Sequence, residues 1–180
     1  EAKIRNALLE AIERVLTGPM DAAMKALTLC LPSEEYLADR AAQRGLVDMT
    51  DIHLRRQAVK RLLGQALDSQ WRAVSSQSVV GSPYSASAHE IGVRSLRHLA
   101  LDYLLAAQSA SLTQAEQLLE SADNLTDRLA ALRWIAQYAN GAQREQTLAN
   151  FYDRWKRESL VVNQWFTVQA TRPDISCVES

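Results

Sequence analysis

Ser121-Ala-Asp-Asn-Leu-Thr-Asp-Arg128, followed by Phe151-Tyr-Asp-Arg-Trp155 and Leu160-Val-Val-Asn-Gln-Trp-Phe-Thr-Val-Gln-Ala170, decides the fold. The first eight residues set Asp123, Asn124 and Asp127 ahead of an apolar run. That is the composition of a helix start, where short side-chain oxygens accept from the free first-turn N–H groups and carboxylates meet the positive end of the helix dipole. Downstream, Trp134 and Tyr138, and again Phe151 and Trp155, stand four residues apart and share a helix face. The stretch therefore predicts amphipathic helices over about 124–139, 142–157 and 159–171, preceded by one over about 111–121. Asp123 or Asn124 caps the second of these four, and Asn140-Gly141, a pair tolerant of the left-handed conformation, is expected to end it.

Working back toward the N-terminus, the helical pattern continues. Residues 2–16 place Ile4, Ala7, Leu8, Ala11, Ile12, Val15 and Leu16 on one stripe, which Gly18-Pro19 stops. Pro19 suits the first position of the next helix, whose apolar residues Met24, Leu27 and Leu29 run toward Pro32. Ser33 is an N-cap candidate with Glu34 and Glu35 behind it, for a helix to about Arg44 closed by Gly45. Asp48 and Asp51 resemble an acidic capping box for one long helix carrying Ile52, Val59, Leu62, Leu63, Ala66, Leu67 and Trp71. Serine-rich residues 75–87 read as a loop, and Ser85 or Ser87 caps a helix that buries Ile91, Leu96, Leu99, Ala100, Tyr103 and Leu104. Residues 174–180 follow Pro173 like the first turns of a further helix cut short.

The expected fold is all-α: about eight or nine helices in antiparallel pairs, arranged as a right-handed α-solenoid of the armadillo or HEAT kind, in a single helical domain over residues 1–180. No clean internal repeat marks the period. A chain of 180 residues can bury roughly 70% of its unfolded surface, enough for a sizeable core. The formal net charge of −1, with both signs interspersed, gives no electrostatic footprint for nucleic acid. Cys30 and Cys177, the two cysteines, are too far apart in sequence for a zinc knuckle or a disulfide framework and fit a reducing, cytoplasmic setting. Neither a signal-peptide pattern nor an apolar run of about 20 residues occurs, so no membrane partner is expected.

The chemistry-bearing residues have bland explanations. His89-Glu90 begins like the His-Glu-x-x-His zinc signature, but Val93 stands where the second imidazole is needed, and His98 is half a turn out of phase with His89. With His53, these are expected to be ordinary helix-surface or half-buried residues. Asp123, Asn124 and Asp127 lack EF-hand spacing and read as helix capping; Asn124-Leu125-Thr126 matches a glycosylation sequon only formally. Arg55, Arg56, Lys60 and Arg61, and then Arg94, Arg97 and His98, make local basic clusters that a solvated helix face explains. Trp134, Tyr138, Phe151, Tyr152, Trp155, Trp165 and Phe166 have the spacing of core packing or of an interface with another domain. No phosphate loop or nucleophile elbow is present. No catalytic, cofactor-binding or metal-ligating residue is assigned.

The run Asp123-Asn-Leu-Thr-Asp127 with Ala130-Ala-Leu132, then Phe151-Tyr-x-x-Trp155, then Leu160-Val-x-x-x-Trp-Phe-x-x-Gln-Ala170, resembles the helical C-terminal domain of the bacterial aminopeptidase N family of zinc metallopeptidases. Ala26-Leu-Thr-Leu-x-Leu-Pro-Ser33 and Arg94-Ser-Leu-Arg-His-Leu-Ala-Leu-Asp-Tyr-Leu104 carry the same resemblance more weakly. It implies that a separate catalytic domain holds the zinc, with a His-Glu-x-x-His helix that has no counterpart here. It further implies that residues 1–180 are the N-terminal part of a longer helical domain, covering the active-site cleft and gating peptide access. Other domains of the same polypeptide would be the partners, peptide substrates would pass by, and the chain alone is predicted inactive. The alternative from the residues themselves is a free-standing α-solenoid adaptor that binds a partner helix or peptide.

Overall fold

The computed structural model describes residues 2–45, 47–76, 84–108 and 110–171. Among these residues there are ten α-helices and no strand. In chain order they are α1 (Ala2–Thr17), α2 (Ala22–Leu29), α3 (Glu34–Ala42), α4 (Met49–Ala66), α5 (Asp68–Ser75), α6 (Ala88–Ala106), α7 (Thr113–Ser121), α8 (Leu125–Tyr138), α9 (Gly141–Trp155) and α10 (Ser159–Ala170). The all-α expectation holds. The tenth helix comes from the stretch read as one long helix, which divides at Leu67 (φ −117°, ψ 30°) into α4 and α5. Trp71, one turn into α5, turns its indole N–H back to the Leu63 carbonyl at 3.1 Å, a second donor to an acceptor in the last turn of α4 that also takes the Leu67 N–H at 3.2 Å. The suggested loop at 75–87 is only partly within the described residues, since 77–83 lie outside them, as does the suggested helix start at 174–180.

Short polar side chains start most of these helices. Asp21, Ser33, Asp48, Ser87, Asn124 and Asn140 each accept from the backbone N–H three residues on. Two expectations change here. Pro19 is not the first residue of α2: the Asp21 carboxylate accepts from Met24 N–H at 2.9 Å, and this side-chain bond sets the start two residues beyond the proline. Asn140-Gly141 does not end α8 in a left-handed turn: Asn140 (φ −65°, ψ 162°) caps α9, and Gly141 is its first residue.

The chain divides into two compact units, residues 1–110 and 111–180. In the first, α6 packs against α2, α4 and α5. Glycine permits two of those approaches. A Cβ on Gly64 of α4 would press on the Tyr103 carbonyl of α6 and stand 2.8 Å from the Cβ of Ala107, the residue that follows α6, and one on Gly92 of α6 would stand 2.8 Å from the Ala23 backbone nitrogen of α2. Around these contacts lie Leu63, Trp71, Leu96, Ala100, Tyr103 and Leu104, with Leu9, Ile12 and Val15 of α1 packed against the cluster. Ile4 and Leu8 are exposed, so only the C-terminal half of the α1 stripe reaches the core. Ile91, expected inside, is 48% exposed; the neighbouring Gly92 makes the helix contact instead.

Two polar arrangements sit inside this unit. The Tyr103 ring stacks on Trp71 (centroids 4.5 Å apart, planes at 16°), and its hydroxyl donates to the Leu29 carbonyl at 2.8 Å. Lys60, 6% exposed, pairs with Asp102 at 2.5 Å between α4 and α6.

The second unit holds α7 to α10, built over Leu129, Leu132, Ala136, Leu148, Phe151, Val161 and Val168. Phe151 and Trp155 meet as their spacing predicts, with ring centroids 6.3 Å apart. Trp165 donates its indole N–H to the Leu148 carbonyl at 2.9 Å and lies against both Tyr152 and Phe166.

The C-terminus of α6 yields a test. Gln108 follows Ala107 with φ +59°, and its N–H bonds to the Leu105 carbonyl at 3.0 Å, the inner bond of a Schellman-type cap. A Cβ is disfavoured in that conformation by about 1–2 kcal/mol. Gln108→Gly is expected to raise stability by about 0.5–1 kcal/mol after glycine's greater unfolded-state entropy is subtracted, read as a higher urea midpoint at unchanged slope. A lowered midpoint would show that the side chain contributes more than the strain.

Candidate functional site

Asp123, Asn124 and Asp127 form a helix start. The Asn124 side-chain carbonyl accepts from Asp127 N–H at 2.9 Å, and its amide donates to the Asp123 and Asp127 carboxylates, each at 2.9 Å. Asp127 is buried. These three bonds are the ones that capping requires.

The histidines are separated. His53 Nδ1 lies 2.8 Å from Glu34 between α4 and α3, His89 is exposed in the first turn of α6, and His98 is half-buried further along it. Among the described residues no three His, Cys, Asp or Glu side chains gather into a group that could hold a metal ion. The described residues therefore do not fit a zinc centre. The basic residues do not form one patch either. Arg55 pairs with Asp51 at 2.6 Å, Arg56 donates to the Pro32 carbonyl at 2.8 Å, and Lys60 is buried. Arg94 donates to the Ser85 carbonyl at 3.3 Å and lies over the Tyr84 ring at 4.6 Å.

The concavity with chemical character lies in the second unit, between α7, α8 and α9. It is a groove of about 570 Å³. Glu116 and Glu120 of α7, one turn apart, form one side; Arg128 of α8 and Arg154 of α9 also line it. Thr147, Phe151 and Arg154 recur at helical spacing along α9, so one stripe of that helix faces the groove. Glu116 accepts from the Gln143 amide, and Arg128 donates to the Leu119 carbonyl at 3.3 Å. Arg154 lies over the Trp155 ring with its guanidinium carbon 5.6 Å from the centroid. Burial, and after it the neighbouring charge of Arg154, lowers the pKa of the Arg128 guanidinium, with Asp123 opposing. The Trp155 indole nitrogen is buried and has no hydrogen-bond acceptor.

Trp155 and Phe151 have the spacing of core packing or of an interface with another domain, and Glu116, Glu120, Arg128 and Arg154 are each ordinary helix residues in sequence. The available signal was the pair of glutamates four apart in α7 and the arginine adjoining a tryptophan in α9.

A helical-repeat domain is the class of protein that this architecture defines. The chain belongs to the family described as a domain of unknown function (DUF3458_C) of ARM repeats, which it matches over residues 1–180. It is 30% identical to aminopeptidase N of Haemophilus influenzae over 173 residues, covering 96% of this chain and 19% of that protein. It is also 30% identical to aminopeptidase N of Escherichia coli, covering 92% of this chain and 19% of that one. The crystal structure of Legionella pneumophila aminopeptidase A in complex with aspartic acid superposes with a TM-score of 0.80 at 20% identity, over 95% of this chain and 21% of that one. The chain thus spans about a fifth of the length of these relatives. The resemblance of the sequence to the C-terminal helical domain of the aminopeptidase N family stands, and the ARM-repeat family agrees with the expected helical-repeat fold. No helix among the described residues is long and apolar enough to cross a membrane.

Proposed function

We propose that residues 1–180 serve as one helical domain of a cytoplasmic zinc aminopeptidase that removes N-terminal amino acids from peptides. In that reading the domain covers the active-site cleft, admits peptides and excludes folded proteins. The carrying observation is the disparity of coverage: nearly the whole chain aligns with aminopeptidase N relatives, while filling about a fifth of each. The zinc and the hydrolytic groups belong to the catalytic domain, and the residues here contribute packing and domain docking. The partners are the other domains of the same polypeptide and the peptides that pass through; neither nucleic acid nor a membrane takes part.

Activity assays on the purified chain and on the full-length parent test this reading. The chain alone is expected to release no amino acid from a peptide amide, while the parent releases it in a chelator-sensitive manner. Parent enzyme with a loosened helical domain is expected to lose its preference for short peptides over a folded protein with an accessible N-terminus. Chelator-sensitive release by the isolated chain would overturn the assignment of roles, and an unchanged preference would overturn the gating.

A further inference from the structure

Among the described residues of the first unit, α3 is the helix with no buried residue. Its half-buried side consists of Glu34, Leu37, Ala38 and Ala41, so its apolar contribution is one leucine and two alanines. It packs against α4, whose first turns, ahead of Lys60, have no buried residue either. Between the two helices runs an open groove of about 340 Å³ lined by Leu31, Pro32, Leu37, Ile52 and Val59, so apolar surface of both helices stays wet where a closer approach would dry it. The polar contacts gather at one end. Arg56 of α4 donates to the Pro32 carbonyl at 2.8 Å, Ser33 accepts from Tyr36 N–H at 3.1 Å, and the Glu34 carboxylate lies 2.8 Å from His53 Nδ1. At the other end the bonds are local: Arg44 N–H donates to the Ala41 carbonyl at 2.8 Å and Gly45 N–H to the Ala42 carbonyl at 3.4 Å. Gly45 itself has φ +140°, a conformation that residues with a Cβ rarely adopt.

We propose that α3 is a strap, pinned at Pro32–Ser33 and released at Gly45, that lifts from α4 as a unit while the rest of residues 1–110 stays folded. A helix held by few buried apolar contacts opens at a small fraction of the free energy of global unfolding. The contact between Glu34 and His53 is the latch: among the described residues it is the side-chain hydrogen bond that α3 makes to another helix. Lifting α3 bares Ile52 and Val59 of α4 beside Leu31 and Pro32, and so widens the groove into an apolar surface that the closed form half covers. The strap belongs to the first unit alone and its motion can be read on this chain by itself, so the proposal goes beyond the assignment to an aminopeptidase.

The test is native-state hydrogen exchange of the 180-residue chain, read amide by amide by NMR over a series of urea concentrations below the unfolding transition. After correction for intrinsic rates, the amides of Leu37 to Ala42 are expected to exchange roughly a hundredfold or more faster than those of Leu101 to Leu104 in α6. They should do so with one shared protection, and with a urea slope well below that of global unfolding. His53→Ala should speed exchange throughout α3 several-fold and leave α6 unchanged. Amides of α3 that match α6 in rate and slope would overturn the proposal, because the helix would then open only with the whole unit. Protection that falls steadily from Leu37 to Ala42 would overturn it as well, since that is fraying from one end. A His53→Ala variant that leaves α3 unchanged, or that speeds both helices alike, would remove the latch.

Discussion

Trp71→Ala is expected to lower the stability of the chain by about 4 kcal/mol, the upper range for deleting a large buried aromatic. Trp71 is fully buried, stacks on Tyr103, and donates to the Leu63 carbonyl where α4 gives way to α5. The substitution leaves a void beside Tyr103 and removes one of the two hydrogen bonds at the Leu63 carbonyl, which keeps the Leu67 N–H at 3.2 Å. Urea unfolding followed by far-UV circular dichroism reads the loss directly. Trp71→Phe, which keeps an aromatic ring but no N–H, should lose about half as much. An alanine variant within about 1 kcal/mol of wild type would show that this cluster does not hold the unit together. The same cluster has a pH signature. Burial, followed by the negative charges of Cys30 and Asp102, raises the Tyr103 phenol above its ordinary value of 10.0, with Arg56 opposing. A raised pKa favours the neutral form in the folded state, so its stabilisation is complete below pH 10 and is lost as pH rises beyond. Tyr103→Phe should accordingly flatten the alkaline limb of the stability profile.

Asp102→Ala is expected to cost about 3 kcal/mol, and Lys60→Met clearly less, near 1 kcal/mol. The two partners are buried unequally: the Lys60 side chain is 7% exposed and that of Asp102 is 25% exposed. Removing the carboxylate takes the ion-pair partner from an ammonium group that water barely reaches between α4 and α6. Removing the ammonium leaves a carboxylate that water still reaches, and methionine refills the space along the lysine stem. The Asp102→Leu/Lys60→Met double variant should therefore be more stable than Asp102→Ala alone. Equal losses from the two single variants, measured by the same urea titration, would refute the asymmetry.

The helices were legible where a short polar residue preceded an apolar stripe. Ser33, Asp48, Ser87 and Asn124 all cap as their positions suggested, because capping is a local bond that needs no distant partner. Asn140 shows the limit of that reading. An Asn-Gly pair permits a left-handed stop but does not require one, and here the asparagine starts the next helix. The break at Leu67 was invisible because no glycine or proline marks it; the reason lies in packing, through Trp71 folding back on Leu63. Ile91 was misplaced for a related reason. Periodicity counts apolar side chains, while the contact at that turn of α6 is made by a glycine with no side chain to count. The groove stayed hidden because its charged residues come from three helices, and only the fold brings Glu116, Arg128 and Arg154 together.

The bond from the Tyr103 hydroxyl to the Leu29 carbonyl joins positions 74 residues apart. During synthesis at about 5–20 residues per second, the carbonyl at the end of α2 emerges about 4–15 s before the tyrosine that will satisfy it. Throughout that interval the first helices lack both their hydrogen-bond donor and the ring stacked beneath it. The packing of the N-terminal third of the chain is thus completed only after the sixth helix has left the ribosome.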